Sequence, residues 1–322
     1  MIGRIVVIVG VILLAILAWK ASQKKSDVGE DFRFAVPQIG EVAKITITDR
    51  SGRIVRLQRG SGHWTFNESY RAREDAIFNL LKTIQQMELA YIPGPQALKN
   101  IVKGLSSQGV KVIVSDEDDN VLKSYHVGGS TPDERGTYVI MEGASQPAVV
   151  TLPNFEGSLR TRFEMSDQEW RDRIVFRYSQ EEIKELRVSY PNNVASSFVI
   201  YGDPSSWHVR PLSDELSARY KNGKPGAAEA YLRAYKKLGA ESIVDQANAA
   251  TSFERLDPFC TISLLDQKDQ LKEVTFYPIP MIEDGTARNR ITRYMVEDQD
   301  GSVYLVQQGV FAKIFVGIDF FF

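Results

Sequence analysis

The stretch VAKITITDRSGRIVRLQRGSGHWTFNESYRAREDAIFNLLKTIQQMELAYI, residues 42–92, carries two different hydrophobic periods in succession. Val42, Ile45 and Ile47 begin an alternating run, Ser51-Gly52 supplies turn residues, and Ile54, Val55 and Leu57 continue as a partner strand. Gly60-Ser61-Gly62 turns the chain again before Trp64 and Phe66, which share one face. The period then changes. Ile77, Leu80, Leu81, Ile84 and Met87 recur at i, i+3, i+4 and i+7, which predicts a helix over 74–89 with one buried stripe. Pro93-Gly94-Pro95 stops it. Strands followed by a helix that covers them predict an α+β unit.

Downstream, a short helix is expected over 97–105 and strands over 110–114 and 121–127, on either side of the acidic turn Asp116-Glu117-Asp118-Asp119-Asn120. Gly128-Gly129 and Thr131-Pro132 read as a loop, 137–141 and 148–152 as a hairpin, and 155–163 as a closing helix.

The same order returns over 183–243. Val42, Ile45 and Ile47 correspond at constant spacing to Ile183, Leu186 and Val188, and Trp64 corresponds to Trp207. Ile77, Leu80, Leu81 and Ile84 correspond to Tyr231, Ala234, Tyr235 and Leu238, and Leu89 to Ile243. Val112, Val114 and Asp116 correspond to Ile262, Leu264 and Asp266; Tyr138 and Phe155 correspond to Tyr294 and Phe311. The spacing drifts only where loops are expected. This pattern reads as a tandem duplication of a β-rich module in which an antiparallel sheet is covered by a helix; two unrelated α+β domains are the competing reading. Phe34 leads into the first copy as Phe176 leads into the second. The join carries Trp170, Arg171, Asp172 and Arg173, a run that serves either as a contact surface or as a solvated face. The expected division is 1–19, 20–33, 34–165 and 166–322.

Ahead of the modules lies an apolar segment containing Ile5, Val6, Val7, Ile8, Val9, Leu13, Leu14, Ile16, Leu17 and Trp19, with Arg4 the one charged side chain before Lys20. Its length is at the short end of the roughly 17–25 residues that span a bilayer. A cleaved signal peptide would want small neutral residues where Trp19 and Lys20 stand, so an uncleaved transmembrane anchor is the favoured reading. Flanking charge leaves its orientation open: Lys20, Lys24 and Lys25 favour a cytoplasmic C-terminal side, but long domains translocate largely regardless of such charges. Residues 20–33 read as a flexible stalk.

With 39 basic and 41 acidic residues, the 322-residue chain has no basic excess, which argues against a nucleic-acid partner. Cys260 is the single cysteine, so no disulfide framework or multi-cysteine metal site is available.

The W-x-F strand end at Trp64, the I-x-x-L-L-x-x-I helix over 77–84, Gly128-Gly129, Tyr138-Val139 and the segment 170–176 together resemble a bacterial family of unknown function. Its members are typically encoded near gliding-motility-type ABC transporters and their auxiliary membrane subunits. The resemblance implies a single-pass inner-membrane protein whose soluble part is periplasmic. It carries over no catalytic residue and no cofactor. Pro278 and Pro280 stand where the second copy would have the glycine pair.

Candidate chemistry is sparse. Trp64 and Trp207 read as core anchors rather than stacking platforms. His63, His126 and His208 lack metal-ligand spacing. The acidic turn fails the calcium-loop pattern, with Val121 where glycine and Val127 where glutamate are required. Gly128-Gly129-Ser130-Thr131 lacks the lysine of a phosphate loop. The apolar end, with Phe320, Phe321 and Phe322, either packs on the second core or docks a partner, together with Trp170, Arg171 and Arg173. The expectation is a non-enzymatic accessory or scaffold subunit of an envelope complex, with the lipid bilayer and ABC-type transporter subunits as partners. A module binding an envelope glycan or peptide is the alternative, marked by exposed tryptophans. An envelope hydrolase is a third reading, marked by a histidine meeting a carboxylate and a nucleophile.

Overall fold

The computed structural model describes residues 29–245, 256–283 and 286–322. The expected anchor, Ile5 to Trp19, and most of the expected stalk lie outside them. Among the described residues no helix is long and apolar enough to cross a membrane. The chain divides between Asp172 and Arg173 into two compact units, each α+β and mostly sheet.

In the first unit, β1 (Lys44–Thr48), β2 (Ile54–Arg59), β3 (Trp64–Phe66), β4 (Tyr70–Arg71), β5 (Glu88–Tyr91), β6 (Val110–Ser115), β7 (Val121–Ser130), β8 (Thr137–Met141) and β9 (Ala148–Thr151) form one sheet. Their order is β4-β3-β2-β1-β6-β7-β8-β9-β5, antiparallel throughout. Alternation places Ile45 and Ile47 of β1 and Val110, Val112 and Val114 of β6 in the core. After β4 the chain reaches β5 at the opposite edge, and helix α1 (Glu74–Gln86) lies on that path. It buries Ala76, Ile77, Leu80 and Ile84 in the same core; of the other predicted stripe residues, Leu81 packs partly on it and Met87 is buried just past the helix end.

In the second unit, β11 (Ile183–Ser189), β12 (Phe198–Asp203), β13 (Ser206–Pro211), β15 (Ser242–Val244), β16 (Cys260–Asp266), β17 (Leu271–Glu283), β18 (Thr286–Asp298) and β19 (Val303–Gln307) are ordered β13-β12-β11-β16-β17-β18-β19-β15. Renumbered within each unit, this is the order of the first sheet without β4. The registers correspond as well: Ile47 lies opposite Val112, and Val188 lies opposite Ile262. Separately, β10 (Ile174–Phe176) pairs with β14 (Leu238–Gly239).

Three local expectations are corrected. The helix predicted over 74–89 ends at Gln86, and Leu89 lies in β5 opposite Val150; Ile243 likewise lies in β15 opposite Tyr304. An open ladder on the last strand of each sheet outweighs helical continuation there. Residues 155–163 form no α-helix, because Asn154 and Gly157 take positive φ values of 58° and 131°; a single 3-10 turn, Arg160–Arg162, remains. Pro278 and Pro280 lie within β17, where the pairing shifts register around Pro280. Gly128-Gly129 is strand, not loop.

The reason for Gly128 is helix α2 (Pro95–Gln108), longer than the predicted 97–105. Val127 faces the main core, so Gly128 faces the other side, where Leu105 of α2 rests. A Cβ on Gly128 would stand 2.8 Å from Leu105 Cδ2 and 3.2 Å from the Tyr138 carbonyl oxygen. Gly128→Val is therefore expected to destabilise the protein by about 1–3 kcal/mol through overpacking. Gly129→Ala, with nothing within 4 Å of its Cβ, is expected to stay within about 0.5 kcal/mol of the parent. Urea unfolding of both variants checks the contrast; equal losses would contradict it.

The boundary differs from the expected 165/166. Helix α3 (Asp167–Trp170) begins with a capping box between Ser166 and Glu169 and ends with Trp170 fully buried in the first core. The Arg73 N–H donates to the Trp170 carbonyl at 2.8 Å. Residues 166–172 thus complete the first unit.

Candidate functional site

The three histidines stand apart in chemistry. His63 is half-buried before β3. His126 lies 3.5 Å from Glu142 Oε2, and burial lowers its pKa against the opposing pull of Glu142. A hydrogen bond from Lys111 in turn holds the Glu142 carboxyl below its usual range. His208 lies 3.5 Å from Ser206 Oγ, longer than a normal O–H···N bond, and nearby Asp203 accepts from the Ser205 hydroxyl and N–H. Cys260 is buried, which pushes its thiol pKa up, away from nucleophilic use. Among the described residues no group of three or more His, Cys, Asp or Glu is arranged to hold a metal ion.

The acidic turn does structural work. Asp116 Oδ1 accepts the N–H groups of Asp118 and Asn120 at 3.0 and 2.9 Å. Asn120 also donates from its side chain, which chiefly lowers the Asp116 pKa. Asp266 repeats the device with Lys268 and Gln270, and Asp298 with Asp300 and Ser302. Asp119 and Asp269 take the matching left-handed conformation, with φ of 67° and 59°. Lys44 pairs with Asp119 as Lys184 pairs with Asp269.

The residues expected to dock a partner are largely committed inside their own units. Trp170 is core. Arg171 lies over the Tyr70 ring at 3.8 Å, and Arg173 donates to the Glu241 carbonyl at 2.6 Å. Phe321 is buried against Phe198 and Tyr231. Phe322 packs partly on the same core, tilted against Tyr220, whereas Phe320 is 44% exposed. Docking through Trp170 or Phe321 is thereby corrected: an apolar ring in a core gains more from burial than it could from an occasional partner. The end of the chain is also fixed by polar bonds, from Tyr190 Oη to the Val316 carbonyl and from Tyr231 Oη to the Ile314 carbonyl, each 2.8 Å.

Two clefts remain. In the first unit, a cleft of about 600 Å³ lies between α2 and the β7–β8 turn, lined by Asn100, Ile101, Gly129, Thr131 and Tyr138. In the second, a cleft of about 390 Å³ lies beside the edge strand β13, with walls from Tyr201, Trp207, Tyr220 and Phe322 and cations from Lys221 and Lys224. Here the two tryptophans part company. Trp64 belongs to the first core, whereas Trp207 only leans on the second and turns part of its surface to the cleft. The Trp207 indole N–H is itself sealed from solvent and finds no acceptor among the described residues.

The cleft wall is braced. Tyr220 Oη donates to Asp319 at 2.7 Å, the Lys224 N–H donates to the Phe321 carbonyl at 2.6 Å, and Gly226 turns into helix α4 (Ala227–Leu232) with φ of 76°. Sequence reasoning passed over this wall. Its signal is the run Lys221-Asn222-Gly223-Lys224-Pro225-Gly226, cationic and rich in turn formers, directly before a helix.

Comparison with curated proteins gives no significant match, and comparison with solved structures gives none either. A family described as a domain of unknown function, DUF4340, matches residues 64–257. The match starts at Trp64, takes in Gly128-Gly129, Tyr138-Val139 and Trp170, runs past the break at Asp172 and includes both Trp207 and the run 221–226. Covering more than half of the chain, this match makes the protein a member of the DUF4340 family.

Proposed function

We propose that this protein is a non-enzymatic accessory or scaffold subunit of a bacterial envelope complex, held in the inner membrane by its N-terminal segment with both units in the periplasm. The observation that carries the reading is the open edge of the first sheet. Strand β5 ends the strand order, is four residues long, and has Tyr91 51% and the following Ile92 42% exposed. An edge of unpaired backbone groups flanked by apolar side chains is the surface on which another chain adds a strand. Association with an ABC-type transporter rests on the motif resemblance at Trp64, 77–84, Gly128-Gly129, Tyr138-Val139 and 170–176. A tandem duplication is supported by the common strand order and by the paired use of Asp116 with Asp266 and of Lys44 with Lys184.

Purification from native membranes in mild detergent, at native expression, is expected to recover ABC-type transporter subunits with the protein. Tyr91→Lys with Ile92→Lys, both at exposed sites, is expected to reduce that recovery without changing the unfolding midpoint. Recovery of the protein alone overturns the proposal. A reporter that is active only outside the cytoplasm, fused after Phe322, is expected to be active.

A further inference from the structure

We infer that the Trp207 cleft of the second unit is a binding site for an acidic saccharide. This goes beyond the subunit reading and does not depend on it. Three observations converge. The first is size: about 390 Å³ lies near the lower end of ligand pockets and suits a few sugar rings. The second is the lining. Partly exposed Trp207 supplies aromatic surface, to which the C–H face of a sugar is attracted, and Tyr220 and Phe322 stand beside it in a lining that is otherwise largely polar. A lipid tail would want the opposite balance. The third is charge. Lys221 and Lys224 stand at the rim with Glu229 as the acidic residue of the lining. Arg219 lies over Tyr220 close by. Cations beside ring faces favour a sugar that carries carboxylates over a neutral one.

The wall is also set in place before any ligand arrives. Tyr220 is tied to Asp319, and the Lys224 backbone is tied to Phe321. Fixing a loop in advance removes an ordering cost from binding. The Lys224 ammonium reaches the Phe320 carbonyl only at 3.3 Å, and both lysine side chains are exposed, so either can turn to an anion.

The test titrates the full chain, in detergent micelles, with trigalacturonate, maltotriose and a hexaglutamate peptide, read by calorimetry and by tryptophan fluorescence. Trigalacturonate is expected to bind saturably, with maltotriose and hexaglutamate each at least about tenfold weaker. Lys221→Gln with Lys224→Gln is expected to weaken trigalacturonate by about tenfold or more while leaving the unfolding midpoint unchanged. Trp207→Leu should abolish the fluorescence response. No binding of trigalacturonate, equal binding of hexaglutamate, or binding indifferent to the two lysines each overturns the inference. Co-purification of transporter subunits is expected to be unaffected by the lysine pair, so the two readings fail separately.

Discussion

Trp170→Ala is expected to lower the unfolding free energy of the first unit by about 3–5 kcal/mol, the usual range for truncating a large buried aromatic. Trp170 is among the largest fully buried side chains of the molecule. It closes the core formed by the sheet and α1, and it lies only two residues before the break between the units. The cost therefore combines lost apolar burial with a cavity that the fixed strands cannot collapse. Trp170→Phe should lose less, since it keeps most of the ring and removes an indole N–H that finds no acceptor among the described residues. Urea unfolding of the full chain followed by circular dichroism measures both. An alanine variant with the parent midpoint would show that Trp170 does not hold the first core together.

The second large effect is expected at Asp298. Its side chain is 3% exposed, and Oδ2 accepts from the Lys272 ammonium at 2.8 Å. Its other oxygen holds the N–H groups of Asp300 and Ser302 at 3.1 and 2.9 Å. Asp298→Ala strips two turn donors of their acceptor and leaves a mostly buried ammonium without its counter-charge. Breaking a buried pair from one side costs about 3–5 kcal/mol. Asp298→Asn keeps an acceptor for the turn and should lose clearly less. The comparable truncation of Asp116, whose turn is exposed, should be far milder. Thermal unfolding of the three variants orders them; equal losses at Asp116 and Asp298 would show that burial is not what sets the cost.

Much of the fold was legible where a single period persists. The alternation of Ile45 and Ile47 and the helical positions Ile77, Leu80 and Ile84 each follow from a local rule, and each is met in the structure. The rule failed where a distant partner overrides local preference. Leu89 sits on an apparent helix end yet pairs with Val150, and Gly128-Gly129 looks like a turn until α2 is seen to need the space. The site was less legible still. Trp64 and Trp207 are expected to match, but Trp64 is buried in the first core, whereas Trp207 borders a cleft that exists only because 220–226 folds beside it. No short-range pattern around a tryptophan reports which loop will come to rest near it.

The strand order has a consequence for synthesis. In each sheet the edge strand β5 or β15 is made in the middle of its unit but pairs with β9 or β19, the last strand to be made. Until that last strand leaves the ribosome, the middle strand has no neighbour and the helix before it has an incomplete floor. Each unit can therefore close only when almost all of it has emerged, through pairings far apart in the chain, which slows folding and exposes apolar edges meanwhile. A nascent chain stopped between β5 and β9 would be a substrate for chaperones, whereas one stopped after Asp172 would already hold a finished first unit.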